Sequence, residues 1–339
     1  MPLAKTSKKF FSRYGKKLVT VSCLIFFFCW LGRWSLSSSC PSFPNADTPL
    51  VFYANQTGSD FLLLYSQAVA QAKHTIFLEM YAITDPTLIQ LLHAKTMQGL
   101  SVTILTDSKA SPSLRNKLPA SAHLHVHKGR GLMHRKVLVI DHTLTLLGSV
   151  NFTTPSLALH DNFALAIHGG EIANFFEQED VHQGLFSFSQ QQLEAWKLPK
   201  NGQSAKQKIL GELAKAKRSI QVAMFTLTDQ DLGDALIAAH KRGVHVKVAL
   251  DYYTAGGSSK KIAQQLTQAG LPPKISLGAQ LLHHKWALID NATLITGSTN
   301  WTKSAFAYNH DDFVIIRNLT EVQQKTMLRL WRAIETTTQ

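Results

Sequence analysis

Two short stretches hold residue types that could do chemistry together. One is His134-Arg135-Lys136-Val137-Leu138-Val139-Ile140-Asp141. The other, 149 positions later, is His283-His284-Lys285-Trp286-Ala287-Leu288-Ile289-Asp290. Each has a His, one residue, a Lys, four mostly apolar residues and an Asp. Six residues beyond each Asp comes a small-polar cluster, Gly148-Ser149-Val150-Asn151 or Gly297-Ser298-Thr299-Asn300, with Thr153 or Thr302 two residues further on. A pattern this long, present twice, argues for a shared function over two unrelated hairpins. The set suits a reaction at an anionic centre. Lys136 and Lys285 would supply positive charge, and Asn151 and Asn300, with Ser149 and Ser298, oriented donors. Of two imidazoles, a neutral one can attack while a protonated one releases the leaving group. Identical residues in differing surroundings can take these opposite roles.

The elements that must position these residues are themselves duplicated. Residues 76–107 lie over 220–251 without a gap at an offset of 144, with ten of 32 positions identical, among them Thr84, Asp85, Gly99 and Asp107. The offset grows to 149 within the motifs, which places five extra residues in the second half near Gly256-Gly257-Ser258-Ser259. Two units of this size imply paired domains rather than a solenoid. In each half the pattern predicts a helix (61–73, 206–217), a strand (75–81, 219–225), a second helix (86–98, 230–242) and a second strand (102–105, 244–250). Asp85 and Asp229 are the expected N-caps, and Gly99 and Gly243 the expected helix ends. This β-α-β order implies parallel pairing and an α/β architecture. Each motif then reads as a strand, a turn opened by Asp141 or Asp290, and a returning strand. His and Lys, two apart on a strand, point to one face. The expected organisation is an N-terminal segment over 1–47, a first half over 48–199 and a second over 200–339, joined through residues 184–204.

Two HxKx4Dx6GSxN motifs on α/β repeats resemble the phospholipase D superfamily, and the resemblance covers residues 50–335. It implies that the halves pack about a pseudo-twofold axis with the active site at their interface. It implies a reaction without metal or other cofactor, through a covalent phosphohistidine. The family's usual order would make His134 the nucleophile and His283 the general acid, although the residues alone leave that order open. Each His needs its other nitrogen held by an acceptor. Asp161, 27 residues after His134, and Asp311, 28 after His283, are the candidates, standing where the family usually has a longer Glu. Asp141 and Asp290 belong to the same catalytic signature, and we read them within it as turn and strand supports rather than proton carriers.

Composition sets the wider limits. The chain has 339 residues and a formal net charge of +13, much of it in the N-terminal segment. The body is therefore only mildly basic, which suits an anionic substrate and falls short of the dense basic surface of an obligate nucleic-acid binder. Cys23, Cys29 and Cys40 are the three cysteines, so the body has no disulfide framework, Cys nucleophile or Cys-based zinc site. Lys5, Lys8, Lys9, Arg13, Lys16 and Lys17 precede an uncharged run from Leu18 to Gly32. That run reads as an uncleaved anchor, a cleaved signal, or a lipoprotein signal ending at Cys40. In each case the basic flank predicts a body on the non-cytoplasmic side.

Other features carry alternatives. His123, His125 and His127 would share a strand face, as a metal site or as half-exposed side chains. Lys128, Arg130 and Arg135 read as a phosphate-binding group or a solvated loop, and Phe152 and Trp301 as core or substrate contacts. The sequons at Asn151 and Asn300 are discounted, since glycans there would block the site. The expected activity is hydrolysis of phospholipid headgroups at a membrane surface. An anchored or exported nuclease is the first alternative, phosphatidyl transfer of the cardiolipin-synthase kind the second, and an interaction protein with a dead site the last. One chain holds both half-sites, so a monomer suffices for catalysis.

Overall fold

Duplicated sequence should give two equivalent sheets, and a computed structural model of the chain, described over residues 41–339, has two. The first is built from β1 (Leu50–Ala54), β2 (Thr75–Met80), β3 (Ser101–Asp107), β4 (His123–His127), β5 (Lys136–Ile140), β6 (Leu144–Gly148) and β7 (Phe163–His168), in the order β1-β7-β6-β5-β2-β3-β4. The second uses β8 (Gln183–Phe188), β9 (Gln191–Lys197), β10 (Ser219–Met224), β11 (His245–Leu250), β12 (Lys274–Ile275), β13 (Lys285–Ile289), β14 (Thr293–Gly297) and β15 (Asp312–Arg317). Its order is β12-β11-β10-β13-β14-β15-β9-β8. The β-α-β strands β2/β3 and β10/β11 are parallel, and each motif strand pairs antiparallel with the first of them.

Helices flank the sheets on both faces. They are α1 (Phe61–Ala70), α2 (Pro86–Met97), α3 (Thr154–Ala158) and α4 (Gly170–Glu177), then α5 (Gly202–Lys215), α6 (Gln230–Lys241), α7 (Tyr252–Gly256), α8 (Lys260–Gln268), α9 (Lys303–Ala307) and α10 (Glu321–Thr336). Their starts follow the expected chemistry. Asp85 accepts from the amides of Thr87 and Leu88, and Asp229 from that of Leu232. Gly99 and Gly243, at φ of +88° and +87°, let the chain leave α2 and α6.

Alternation along the motif strands divides the core. Val137 and Val139 enter a cluster shared by both sheets, whereas Leu138 and Ile140 pack under the first half's helices. Trp286 and Leu288 enter the same shared cluster, and Ala287 and Ile289 pack under the second half's helices. The two halves therefore meet through these sheet faces, with Phe175 and Phe176 of α4 and Leu330 and Trp331 of α10 packed into the same cluster. Burying one Val, Leu or Phe side chain there contributes about 1.5–3 kcal/mol. Residues 43–339 form one compact unit.

The connection between halves differs from expectation. Residues 184–204 contain β8 and β9, which extend the second sheet beyond β15. Strand β9 pairs with β15 as β1 pairs with β7, so the second repeat opens at β9, inside the stretch read as linker. The apolar alternation of β9 is weak because Gln191, Gln192 and Glu194 interrupt it. The run from Leu18 to Gly32, with Cys40, lies outside the described residues. Among the described residues no helix is long and apolar enough to cross a membrane.

Candidate active site

The chain before each motif strand crosses to the other half. The amide of His134 donates to the carbonyl of His310 (2.8 Å), and that of His283 to the carbonyl of Asp161 (2.9 Å). Isolated bridges join Met133 to His310 and Asp161 to Leu282. Asp107 and Asp251, identical in the duplicated sequence, brace these crossings by accepting from the amides of Met133 (3.2 Å) and Leu282 (3.1 Å).

Side chains also cross. Nδ1 of His134 lies 2.7 Å from Oδ1 of Asp311, and Nδ1 of His283 lies 2.9 Å from Oδ1 of Asn162. Each imidazole is therefore held by the opposite half. This corrects the acceptor assignment. Asp311 holds His134 rather than the His of its own motif, and the acceptor for His283 is Asn162 rather than Asp161. The spacing carried the signal, for Asn162 follows His134 by 28 residues, as Asp311 follows His283. Asp161 is buried with its carboxylate accepting from Nε2 of Gln280 (3.0 Å), and burial pushes its carboxyl up to about 7.

The serines are spent on these acceptors. The Ser149 hydroxyl donates to Oδ1 of Asn162 (2.7 Å), and that of Ser298 to Oδ1 of Asp311 (2.8 Å). Each serine oxygen also accepts an amide, from Phe163 (3.0 Å) or Asp312 (2.9 Å). The preceding glycines allow this approach, since a Cβ on Gly148 or Gly297 would sit 2.3 Å from the carbonyl oxygen of Phe163 or Asp312. The serines are thus supports rather than free donors. Asn151 and Asn300 are different: each is half-buried, with its side-chain oxygen lacking a partner.

The two imidazoles share tautomer but not surroundings. Asn162 donates its Nδ2 to the carbonyls of Ser156 (2.8 Å) and His160 (3.3 Å), so its Oδ1 faces His283 as acceptor. A carboxylate fixes the same orientation at His134. Nδ1–H therefore donates in both, which leaves Nε2 for chemistry. Burial first, then Lys136, lowers the His134 pKa, and Asp311 opposes them. His283 is held well below the usual range by burial, then by Lys285, Lys136, His134 and His160, and its Nδ1 partner is a neutral amide. These mutual effects bring the two His and two Lys into one electrostatic neighbourhood. Burial pushes the Lys136 ammonium down to about 7 and that of Lys285 well below its ordinary value. Lys136 and Lys285 donate to the carbonyls of His134 and His283, over the rings of Tyr81 and Phe225.

A family model described as "Cardiolipin synthase, PLD-like domain" matches residues 65–180 and 209–331, one match per half. The chain belongs to the phospholipase D-like family. Relatives of this phospholipase D-like chain include mitochondrial cardiolipin hydrolase of Xenopus laevis, 33% identical over 139 residues, covering 40% of this chain and 65% of that protein. The Homo sapiens protein of the same name is 34% identical over 117 residues, covering 34% of this chain and 45% of that one. The matches thus span less than two thirds of these relatives. The solved phosphatidylserine synthase of Haemophilus influenzae Rd KW20 shares the fold, with a TM-score of 0.68, 13% identity and 88% coverage of each chain.

The remaining expectations for the phospholipase D-like site divide. Asp141 and Asp290 sit at the far end of the motif strands. The carboxylate of Asp141 accepts from the amides of Lys73, His74 and Thr75, and that of Asp290 from those of Lys217, Arg218 and Ser219. Arg135 is neither loop nor phosphate ligand. It is buried, paired with Glu79 (2.8 Å), and donates to the Leu198 carbonyl (2.9 Å). Phe152 and Trp301 are core. Among the described residues no group of three or more His, Cys, Asp or Glu side chains is placed to hold a metal ion. His127 instead packs against His310, with ring centroids 4.8 Å apart and planes tilted by 59°.

Proposed function

We propose that the protein is a phosphodiesterase that works without metal, through a phosphohistidine, and hydrolyses phospholipid headgroups. One observation carries this reading: two buried imidazoles held alike, one by a carboxylate and the other by a neutral amide. Attack by Nε2 of His134 on phosphorus makes its ring cationic. The Asp311 carboxylate at Nδ1 stabilises that charge, which favours His134 as the nucleophile. His283, a stronger acid for want of a carboxylate, takes its proton as the anionic substrate arrives and gives it to the leaving alcohol. It then takes a proton from water, whose oxygen displaces His134 from phosphorus. Lys136 and Lys285, with the uncommitted amides of Asn151 and Asn300, supply charge and donors to the non-bridging oxygens. An alcohol replacing water in the second step would give phosphatidyl transfer.

The phospholipid assignment is supported by the relatives named cardiolipin hydrolase and by the hydrophobic run near the N-terminus. The same features favour a body tethered to or exported across a membrane, on its non-cytoplasmic side. The test gives the full chain labelled liposomes and oligonucleotides in parallel, with EDTA present. We expect headgroup release that survives EDTA. Cleavage of oligonucleotides alone would transfer the assignment to a nuclease, and loss of all turnover in EDTA would remove the metal-free mechanism.

A further inference from the structure

Two of the segments at the histidine end of the sheets carry almost no acid. Between residues 108 and 160 the only acidic residue is Asp141, and between 252 and 310 the only one is Asp290. Both sit in turns at the opposite end of the sheets. The segments at the histidine end instead expose apolar and basic groups. Leu132, Leu159, Tyr252, Tyr253 and Leu277 are between 37% and 61% exposed, nearly half of the large exposed apolar side chains among the described residues. Their places follow from the fold. Leu132 is two residues before His134, and Leu159 ends the turn after α3, beside His160. Tyr252 and Tyr253 open α7 directly after β11, and Leu277 lies between β12 and His283.

The two halves contribute differently to this border of the sheets. Counting back from each His, exposed Lys128 in the first half stands where Leu277 stands in the second, and Arg130 where Ala279 stands. The Arg130 guanidinium lies 3.9 Å over the ring of Tyr308, which joins the cationic side to the apolar side. The longer connection of the second half, between β11 and β12, carries α7 and α8. They hold Tyr252 and Tyr253 outward, edge to face with centroids 5.3 Å apart, and the Tyr253 hydroxyl donates to the Gly278 carbonyl (3.3 Å). Exposed Lys260 and Lys261 follow at once.

We infer that this border is a membrane-docking surface: Tyr252, Tyr253 and Leu277 enter the interface of an anionic bilayer while Lys128, Arg130 and Lys260 meet its headgroups. The inference rests on the phospholipid reading and deepens it, since it states how the buried histidines reach a diester that stays in the bilayer. Aromatic and aliphatic side chains flanked by basic ones, on two segments without acids at this end, match the apolar and anionic layers of such a surface. A single-stranded nucleic acid would instead call for a basic track with stacking platforms along it. Here the second-half side is mainly apolar.

The test uses the full chain reconstituted in vesicles containing anionic lipid. Turnover of labelled phospholipid in the vesicle is compared with turnover of a soluble diester, bis(p-nitrophenyl) phosphate. In the double variant Tyr252→Ser, Leu277→Ser, vesicle turnover should fall at least about ten-fold, since losing even one buried apolar side chain from the interface is worth that much. Soluble turnover should stay at the parental level, and the conservative pair Tyr252→Phe, Leu277→Met should keep both. Parental vesicle turnover in the Ser variant would overturn the docking surface and leave the phospholipid reading standing. Activity of the parent on oligonucleotides and the soluble diester, but not on vesicles, would overturn both. A separate readout covers poor folding of the Ser variant: the emission added by Tyr253→Trp should be quenched by brominated lipid, and its persistence unquenched would overturn the inference.

Discussion

At the residue scale, the difference between Asp311 and Asn162 matters more than the likeness of the two histidines. Both acceptors take a hydrogen bond from Nδ1 and both are held by a serine. Only one carries charge. Replacing Asp311 with Asn should remove the stabilisation of a cationic His134 and lower kcat by about 10²-fold or more. Replacing Asn162 with Asp should raise the His283 pKa by adding an opposite charge at Nδ1. The sign of the pH effect follows. His283 must be protonated to act as an acid, and its pKa is depressed, so kcat/KM falls as pH rises through that value. Loss of the Lys136 charge near its pKa of about 7 acts in the same direction. We expect kcat/KM on a soluble diester to peak on the acid side of neutrality, and Asn162→Asp to move the alkaline limb upward. An optimum above pH 8 in the parent, or an unmoved limb in the variant, would contradict this assignment of roles.

At the element scale, the motif Asp is a joint between strand and strand. Asp141 and Asp290 occupy left-handed turn positions at φ of 49° and 54°, each followed by a second such residue. Their carboxylates gather three amides that open the neighbouring strand. Burial pushes both carboxyl pKa values up, but the amides outweigh it and hold them low. A depressed folded pKa contributes stability that is present above the unfolded value of about 4 and is lost as pH falls through the folded one. Asp290→Ala should therefore lower stability by about 1–3 kcal/mol at pH 7 and less near pH 3, by denaturant unfolding. Its turnover per folded molecule should match the parent. A large loss of turnover at unchanged stability would return Asp290 to the chemistry.

How much of this was legible in the sequence depends on whether a signal was local. The helices, their caps and the motif hairpins follow from periodicity and turn chemistry, which act over a few residues. Asp107 and Asp251 stood among the identical positions, yet their role needs the crossing of the chain to appear. The partner of each His lies on the opposite half, so sequence proximity pointed the wrong way, and equal spacing was the usable clue. Strand β9 was hidden because three polar residues break its alternation while its partner β15 supplies the apolar face. Arg135 looked like a flanking cation because nothing near it in sequence reveals Glu79.

For the whole molecule, the duplication closes one site within one chain. The halves exchange histidine partners in both directions, and they share a buried core that includes Val137, Val139, Trp286 and Leu288. Exchanging a half between chains would require opening that core, at about 1.5–3 kcal/mol for each large apolar side chain exposed. The inter-half hydrogen bonds would be lost as well. A monomer should therefore be the working unit, with specific activity independent of protein concentration. The sharper test mixes two inactive full-length variants, His134→Ala and His283→Ala. In a closed monomer each carries one permanent lesion, so the mixture should stay as inactive as its components. If halves swap between chains, one of the two sites in a mixed dimer would hold both intact histidines. Recovery of activity that grows with protein concentration would then show that the site is assembled from two chains.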